Sequence, residues 1–249
     1  MAIEVVNIVD LFKSIVANLK QSANILSITD LGNGFYTVVV DDNISYFSKG
    51  LYFTISGTVN FDGQYLIYNV DTDSNRITIS KTKGLATETG VATTNYPYFE
   101  AGHLTEIKAT LQEKDESNLY KYQKYPLIIL LLDINEGKGS NANNSSISVD
   151  VLILNSTDSN YKALDRNDNN FKPILEPLYA RFIQELKGCG YFVGIRKPEQ
   201  IEHAKTNRYY WGSQAEYGNT SNILGDHLDG IEITNLALEA KYSVINCTN

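Results

Sequence analysis

The residues of this chain that could take part in catalysis are few, and they stand far apart in the sequence. The three histidines, His103, His203 and His227, lie in unrelated contexts. The chain has no HExxH zinc motif, no GxSxG nucleophile turn and no glycine loop of the phosphate-binding kind. Because a nucleophile paired with a base is missing, the sequence predicts a protein that is not an enzyme and needs no cofactor. Each histidine is expected at the surface or packed in the core.

One segment partly matches a calcium-binding loop. Four oxygen-bearing residues of DRNDNNFKPILE fall at ligand positions 1, 3, 5 and 12 of the template: Asp165, Asn167, Asn169 and Glu176. Position 6 should be glycine and is Asn170, whose side chain still tolerates the left-handed conformation. Pro173 and the apolar pattern around it predict a helix over residues 171–176, which would break the loop. The sequence leaves two interpretations, a calcium site and an asparagine-rich helix cap.

A second cluster, Asp226, His227 and Asp229, lies within the segment GDHLDG. These three side chains could hold a metal ion from one side, or they could serve a hydrolase. A single segment seldom supplies a complete metal site, because the ligands must surround the ion. The pattern is more typical of a solvated turn before a strand, and we predict no metal ligand here.

The segment NRYYWG, residues 207–212, is rich in aromatic area. It contains Tyr209, Tyr210 and Trp211, the only tryptophan of the chain. Tyrosine and tryptophan dominate many protein–protein contacts, because they bury a large ring and keep a polar tip. They are also common in protein cores. Two interpretations, a core segment and an interface anchor, stay open.

The bulk composition limits the classes of function. The chain has 249 residues, of which 43% are apolar, and a net charge of −8. An acidic protein with scattered basic residues is a poor candidate for gripping nucleic acid. Two cysteines, Cys189 and Cys247, are too few for a disulfide scaffold, and we expect free thiols in a reducing compartment. The sequence shows neither an export signal nor an apolar run of about 20 residues, and it predicts a soluble protein without membrane contact.

The elements that would position these residues begin with a one-sided helix. Residues 7–20 place their apolar side chains on one face, with Asn7 as the N-cap. Residues 25–82 consist of short runs rich in β-branched and aromatic residues, and turn residues bound each run. Asn33-Gly34 is a typical hairpin turn between two of these runs. Four or five strands at this spacing predict a small antiparallel barrel or sandwich. Residues 83–95 lack periodicity and are expected to be a linker.

The second half of the chain alternates helices and strands. A polar helix is expected over residues 103–117, and two apolar strands at 127–133 and 145–155 flank a polar loop. A further helix ends at Gly188 as its C′ residue and has Pro173 in its first turn. Its apolar stripe consists of Phe171, Leu175, Leu178, Phe182 and Leu186.

The last strand, residues 231–241, changes its apolar parity near Asn235, which predicts a β-bulge. The fold class that follows is α+β, with an antiparallel or mixed sheet flanked by helices and an inserted small all-β barrel module. Residues 1–24 and 96–249 would form the α+β domain, and residues 25–95 would form the inserted barrel with its linker.

Several segments, taken in order, resemble tail-terminator-like neck proteins of tailed bacteriophages, in particular the neck-ring proteins of crAss-like gut phages. The matching segments span about residues 100–246 and read KYPLIILLLD, ISVDVLILN, FKPIL, RYYWG and LDGIEITNLALE. The inserted module is similar to small β-barrels of phage tail and baseplate proteins. Compact tail terminators lack such a module, and this difference leaves the position of the ring in the neck open.

The resemblance implies a structural subunit of a homo-oligomeric ring of six or twelve copies in the virion neck or tail, assembled in the cytoplasm of the bacterial host. It implies contacts with portal, adaptor and other tail or neck proteins, and genomic DNA that passes without sequence-specific binding. The strands at 127–133, 147–154 and 231–241 would form the ring wall, and the loop at 134–146 would contact neighbours. The candidate interface residues are Asn135, Lys138 and Asn141, together with Tyr209, Tyr210 and Trp211.

Two other functions compete with the ring. The inserted module could recognise a glycan or a host protein, as in a tail or baseplate subunit. Exposed tyrosines in that module would favour this hypothesis: Tyr36, Tyr46, Tyr52, Tyr65 and Tyr68. A hydrolase built on Asp226, His227 and Asp229 would lack its nucleophile and is the least favoured of the three.

Overall fold

The computed structural model describes seven stretches of the chain: residues 7–42, 44–82, 88–117, 123–138, 144–192, 201–212 and 223–241. The chain divides into two compact units. The inserted unit comprises Lys20–Tyr96, and the main unit comprises Met1–Leu19 with Pro97–Asn249. The inserted unit begins at Lys20, earlier than the boundary at residues 24 and 25 that the sequence suggested, and its first strand already begins at Ser22.

The described residues of the inserted unit form a seven-stranded antiparallel sheet. Its strands are β1 (Ser22–Gly32), β2 (Phe35–Val40), β3 (Tyr52–Ser56), β4 (Gly63–Leu66), β5 (Asn69–Asp71), β6 (Arg76–Ser80) and β7 (Gly90–Thr94). They lie in the order β4-β3-β7-β1-β2-β6-β5. The predicted hairpin between β1 and β2 is confirmed, because Asn33 and Gly34 have φ values of 55° and 80°, the geometry that a tight hairpin turn requires.

The sheet of the inserted unit is not closed, and the predicted barrel is wrong. Over residues 20–42, 44–82 and 88–96, the sheet ends at β4 on one side and at β5 on the other. These end strands have only four and three residues, and they do not pair with each other. Closure requires pairing and stagger between strands that are distant in sequence. The local pattern of each strand carries no signal for that pairing.

The described residues of the main unit contain a six-stranded sheet with mostly antiparallel pairing. Its strands are β8 (Tyr98–Gly102), β9 (Leu127–Leu131), β10 (Asn135–Lys138), β11 (Asn144–Ser156), β12 (Ala204–Trp211) and β13 (Leu228–Lys241). The order is β12-β13-β11-β9-β8, and β10 pairs with the first residues of β11. Only the pair β8–β9 is parallel among these described strands. The predicted α+β class with a mixed sheet is confirmed at this level.

Two long strands, β11 and β13, form the centre of this sheet. Their register runs from the pair Asn144 and Lys241 to the pair Ser156 and Leu228. Between Val149–Leu236 and Val151–Ile233, β13 contains one residue more than β11. Asn235 has a φ of 54°, and its N–H donates to Asp150 Oδ1 at 2.8 Å. The β-bulge predicted near Asn235 is therefore confirmed.

The main unit contains the helices α1 (Ile8–Asn18), α2 (Leu104–Glu116), α3 (Ala163–Arg166) and α4 (Glu176–Gly188), and a π-helical stretch, Asn167–Leu175, joins α3 to α4. Asn7 caps α1 as predicted, because its Oδ1 accepts the Val9 N–H at 3.0 Å. The predicted bounds of α1 and α2 agree with the structure to within two residues. Across the described stretches, every helix is too short or too polar to cross a membrane.

The helix that contains Pro173 begins earlier and ends later than predicted. The chain is helical from Ala163 onward, so Pro173 lies inside the π-helical stretch and not in a first turn. A proline ring removes a backbone donor and crowds the preceding turn, and the wider i→i+5 winding accommodates it. Gly188 is still helical, and the left-handed residue is Gly190, with a φ of 74°.

The sheet of the main unit has an apolar core on each face. Ile128 and Leu130 belong to the cluster that contains α1 and α4, whereas Leu127 and Ile129 belong to a second cluster with α2 and Trp211. Neighbouring strand residues point to opposite faces, so burial on both faces explains the unbroken apolar run of β9. The predicted helical stripe is confirmed, because all its residues are buried in the first cluster: Phe171, Leu175, Leu178, Phe182 and Leu186.

Candidate functional site

The most deeply buried charges among the described residues form one ion pair, Arg166 with Asp229. Arg166 Nη1 donates to Asp229 Oδ1 at 2.8 Å, and the two side chains are 1% and 0% exposed. Arg166 also donates through Nε to the Tyr161 carbonyl at 3.0 Å and through Nη2 to the Asp158 carbonyl at 3.2 Å. Burial of an ion pair is costly unless each group is compensated at several points, as it is here.

Two buried asparagines extend this pair into what we call the Arg166–Asp229 network. Asn170 Nδ2 donates to Asp229 Oδ2 at 3.0 Å, and Asn155 Nδ2 donates to Asn170 Oδ1 at 2.8 Å. Arg166 ends α3 and Asn170 lies in the π-helical stretch, while Asn155 and Asp229 are opposite each other in β11 and β13. The network therefore fixes the helix at one rotation against the sheet.

The network also holds an unfavourable backbone position in β12. Tyr210 has a φ of 58°, a left-handed conformation that costs a non-glycine residue about 1–2 kcal/mol. Its N–H donates to Asp229 Oδ1 at 2.9 Å, and its hydroxyl donates to the Tyr161 carbonyl at 3.0 Å. The Arg166 guanidinium lies 3.6 Å from the centre of the Tyr210 ring. These contacts offset the backbone cost and fix the irregularity of β12 at this residue.

The three aromatic residues of NRYYWG have different environments. Trp211 is buried in the second core cluster, and its Nε1 donates to Glu232 at 3.0 Å. Tyr209 lies on the buried Phe171, with ring centres 4.5 Å apart, but it remains 39% exposed. Tyr210 is 40% exposed. Trp211 is therefore a core residue, whereas Tyr209 and Tyr210 keep surface that a partner could contact.

A second charged group, which we call the Lys124 cluster, lies nearer to solvent. Lys124 Nζ donates to Asp115 Oδ2 at 2.8 Å and to Asp226 Oδ2 at 2.6 Å, and the same Asp226 oxygen accepts the Tyr125 hydroxyl at 2.8 Å. Burial acts to lower the pKa of Lys124, but its hydrogen bonds to Asp115 and Asp226 outweigh burial, and the pKa is raised. Burial, followed by the charge of Asp226, raises the pKa of Tyr125.

The residues Asp226, His227 and Asp229 do not form one site. Asp226 belongs to the Lys124 cluster and Asp229 to the Arg166–Asp229 network. His227 is exposed, and its backbone carbonyl accepts the Thr157 N–H at 3.0 Å. In the part of the chain that the structure describes, no three histidine, cysteine, aspartate or glutamate side chains are grouped closely enough to hold a metal ion.

The segment that matches a calcium loop is helical throughout. Residues 165–176 run from α3 through the π-helical stretch into α4. Asp165 Oδ2 accepts the Lys162 N–H at 3.1 Å, which caps the start of α3, and Glu176 Oε2 accepts from Lys205 Nζ at 2.6 Å. Side chains spaced in this way around a helix cannot converge on one ion as they do in a loop. The calcium loop is therefore not formed.

Polar side chains attach β12 to the helix that it contacts. The hydroxyl of Tyr179 and Nε2 of His203 are 2.6 Å apart. Lys205 and Asn207 both donate to the Glu176 carboxylate, at 2.6 Å and 2.7 Å. Burial, followed by the Glu176 charge, raises the pKa of Tyr179. Only one of the eight residues of β12 is buried, so this edge strand depends on polar contacts more than on core packing.

The other predicted interface residues lie away from β12. Asn135 and Lys138 are the end residues of β10, which pairs with β11, whereas β12 pairs with β13. The two strands therefore lie on opposite sides of the central β11–β13 pair. Asn141 lies outside the described residues. The structure does not bring Asn135 and Lys138 together with Tyr209, Tyr210 and Trp211 on one surface.

Two more residues named in the sequence analysis can be placed, and a third cannot. His103 is exposed and immediately precedes α2. Cys189 is a free thiol whose Sγ lies 3.1 Å from the Leu186 carbonyl, and burial raises its pKa. Cys247 lies outside the described residues.

Most of the tyrosines expected on the surface of the inserted unit are not exposed. Tyr36 is 3% exposed, and its ring centre lies 5.0 Å from that of Phe61. The half-buried members are Tyr46, Tyr52 and Tyr65. Tyr68 is 44% exposed, and its ring lies edge-on to Phe35 at 5.3 Å. One exposed aromatic pair therefore remains on this unit among its described residues.

Sequence reasoning missed Arg166 and Lys124. The sequence holds no clear signal for Arg166, because the regular α-helical period places it away from the apolar stripe, and only the π-helical winding of Asn167–Leu175 brings Arg166 and Asn170 to the buried side. A cation at such a position needs a buried partner. Lys124 offers no signal either, because the residues that bind it lie in distant segments.

The chain matches no protein-family model and no curated protein. The chemistry of the site therefore has to be inferred from its geometry. The charged groups of the Arg166–Asp229 network bind one another and the neighbouring backbone, and they hold several backbone segments together. Beside this network, β12 pairs on one side only among the described strands and carries two half-exposed tyrosines, a combination that suits binding to another protein.

Proposed function

We propose that this chain is a structural protein of a tailed-bacteriophage virion, a subunit of a ring in the neck or tail that joins the portal or capsid to the tail. The ring would surround the path of the genomic DNA without reading its sequence, and other neck or tail proteins would bind its faces. The proposal draws on the resemblance over about residues 100–246 and on the geometry of the main unit.

The observation that carries the proposal is the open sheet of the main unit. Within the described residues, β12 pairs only with β13 and β8 pairs only with β9, so the sheet has a free edge at each end. A closed ring needs a head-to-tail contact between two different surfaces of the same chain. Two free edges at opposite ends of one sheet meet that requirement.

The Arg166–Asp229 network supports the same role. It ties α3, the π-helical stretch, β11, β12 and β13 together through buried hydrogen bonds. A surface that is already held in its bound shape loses less conformational entropy on association. The network would therefore keep the β12 edge in a fixed shape for a neighbouring subunit.

Native mass spectrometry of the full chain, with negative-stain images of the same sample, tests the proposal. We expect a closed species of six or twelve subunits with a central hole. Pull-down against the portal and tail proteins of the same phage provides the second measurement. A chain that stays monomeric and also binds none of these proteins would contradict the proposal.

A second candidate function is a tail or baseplate module that recognises a glycan or a host protein, and the surface of the inserted unit favours it. Leu26 and Leu31, at two irregularities of β1, are 57% and 58% exposed. Leu31 lies four residues before Phe35, which forms an exposed aromatic pair with Tyr68. Exposed apolar groups of this kind often mark contact surfaces. Glycan-array binding that is lost in a Phe35→Ala, Tyr68→Ala variant would support this function, and absence of binding to glycans and host cells would contradict it.

A further inference from the structure

We propose that neighbouring copies of this chain meet through two oppositely charged edges of the main-unit sheet. The first, the β12 edge, is strand Ala204–Trp211. The second, the β8–α2 edge, is strand Tyr98–Gly102 with helix Leu104–Glu116. This inference rests on the proposed ring, and it names the two surfaces that form the head-to-tail contact.

The β8–α2 edge is one continuous structure. Lys114 on α2 donates to Glu100 on β8 at 2.8 Å. Ile107 and Leu111 anchor the helix in the second core cluster, together with Leu127 of β9. A partner that approaches β8 from the side away from β9 therefore meets α2 as well.

The exposed charges of the two edges have opposite sign. On α2 they are all acidic: Glu106, Glu113, Asp115 and Glu116. Lys124 binds Asp115, which leaves three acids facing solvent. On β12 the exposed charged residues are both basic, Lys205 and Arg208, and each pairs with a half-buried glutamate of its own chain. In the Arg208 pair the arginine side chain is 56% exposed and Glu232 is 22% exposed, so the positive group lies outermost. In the Lys205 pair the two side chains are 27% and 36% exposed, so Arg208 supplies most of the exposed positive charge of this edge.

Uncharged groups beside β12 suit the same contact. Tyr209 and Tyr210 are about two-fifths exposed, and Leu164 on the adjoining α3 is 78% exposed. Tyrosines at the centre of a contact contribute much of its binding energy. The two cations and the irregularity at Tyr210 also disfavour indiscriminate strand pairing at this edge. The contact is therefore one between side chains, and the same chain supplies the complementary charge.

Two charge-reversal variants of the full chain test this contact. One carries Glu113→Lys and Glu116→Lys on α2, and the other carries Ala204→Glu and Arg208→Glu on β12. In a sample of either variant alone, the two edges that should meet carry charge of the same sign and repel each other. Native mass spectrometry should then show loss of the wild-type oligomer. Mixed in equal amounts, the variants present complementary edges to each other. The oligomer should then return, with the two chains alternating.

The control variant carries Asp42→Lys and Asp73→Lys on the inserted unit, which changes the net charge as much as the α2 variant does. It should assemble as the wild type does, and circular dichroism checks that all variants fold.

Should a reversed variant fail to fold, a salt titration of the wild type replaces it, because added salt must weaken this contact. Folded variants that assemble alone, a mixture that does not recover, or insensitivity to salt would overturn the contact and leave the ring proposal standing. A wild-type chain that stays monomeric both alone and in the presence of the portal and tail proteins would overturn both.

Discussion

Two carboxylates only three residues apart, Asp226 and Asp229, have opposite environments in this protein. Asp229 is fully buried and accepts hydrogen bonds from Arg166, Asn170 and the backbone of Tyr210. Asp226 is 33% exposed and shares Lys124 with a second carboxylate, which is 55% exposed. The nitrogen–oxygen distances of the two ion pairs, 2.8 Å and 2.6 Å, are nearly the same. Both cations are buried, with Lys124 7% and Arg166 1% exposed, so the difference between the pairs is the access of the carboxylates to water and not geometry.

Water access decides what the loss of one partner costs. A surface charge that loses its partner is solvated again, so exposed pairs contribute little. A buried charge that loses its partner stays without solvent, and the penalty reaches several kcal/mol. The Arg166–Asp229 network should therefore behave as one unit on which the main-unit fold depends, whereas the Lys124 cluster should tolerate change.

Removal of each carboxylate in turn should give the largest difference. Asp229→Ala should lower the free energy of unfolding by about 3–5 kcal/mol, because Arg166 is left as an uncompensated buried charge. Asp226→Ala should cost less, about 1–2 kcal/mol, because Lys124, although only 7% exposed, keeps Asp115 as its second carboxylate, and the Tyr125 hydroxyl loses one acceptor. Urea unfolding of both variants, followed by circular dichroism, measures the difference. Equal losses would contradict the role assigned to burial.

The second prediction removes both buried charges together. An Arg166→Met, Asp229→Leu double variant should lose less stability than Asp229→Ala alone, by about 1–3 kcal/mol, because no buried charge remains. Asn170 and the Tyr210 N–H still lose an acceptor, so the wild-type stability should not be recovered in full. A double-mutant cycle with the two single variants measures the coupling energy. Simple additivity of the single losses would show that the two residues act independently.

Elements with a local signal could be predicted from the sequence. The cap at Asn7, the hairpin at Asn33-Gly34 and the bulge near Asn235 each depend on a few adjacent residues, and the structure contains all three. The apolar stripe of the helix around α4 was equally clear, because its spacing follows the helical period. Such local features locate the main helices and the long strands along the sequence, even when the elements they pack against are unknown.

Features that depend on distant residues could not be predicted. Closure of the inserted sheet is decided by whether β4 and β5 pair, and their sequences do not contain that information. The helix start at Ala163 is polar and lacks the apolar period, because Arg166 and Asn170 occupy the buried face in place of apolar residues. The candidate site was missed for the same reason, since Arg166 and Asp229 are 63 positions apart.

The third prediction concerns alkaline pH and the Lys124 cluster. Lys124 and Tyr125 both have a raised pKa in the folded protein. A group with a raised folded pKa contributes stability that is complete below its unfolded pKa, here about 10, and is lost as the pH rises through the folded value. Wild-type stability should therefore fall above about pH 10, and the fall should be shallower in a Lys124→Met, Tyr125→Phe variant.

Urea unfolding at a series of pH values between about 8 and 11 measures this slope. Lys172→Met, a change on an exposed helix surface, serves as the control and should keep the wild-type slope. The Lys124 cluster would not be the source of the alkaline loss if the double variant and the control had the same slope.

The smallest effect is expected at a third ion pair, Asp168 with Lys172. Their nitrogen–oxygen distance is 2.7 Å, as short as in the other two pairs, but the side chains are 60% and 66% exposed. Hydrogen bonding to Lys172 lowers the pKa of Asp168, yet water can replace that contact when the lysine is removed. Asp168→Ala should leave the melting temperature and the urea midpoint of the wild type unchanged. The three aspartates then form a series with constant distance and decreasing burial, so a loss for Asp168→Ala as large as that for Asp226→Ala would mean that distance, and not burial, sets the effect.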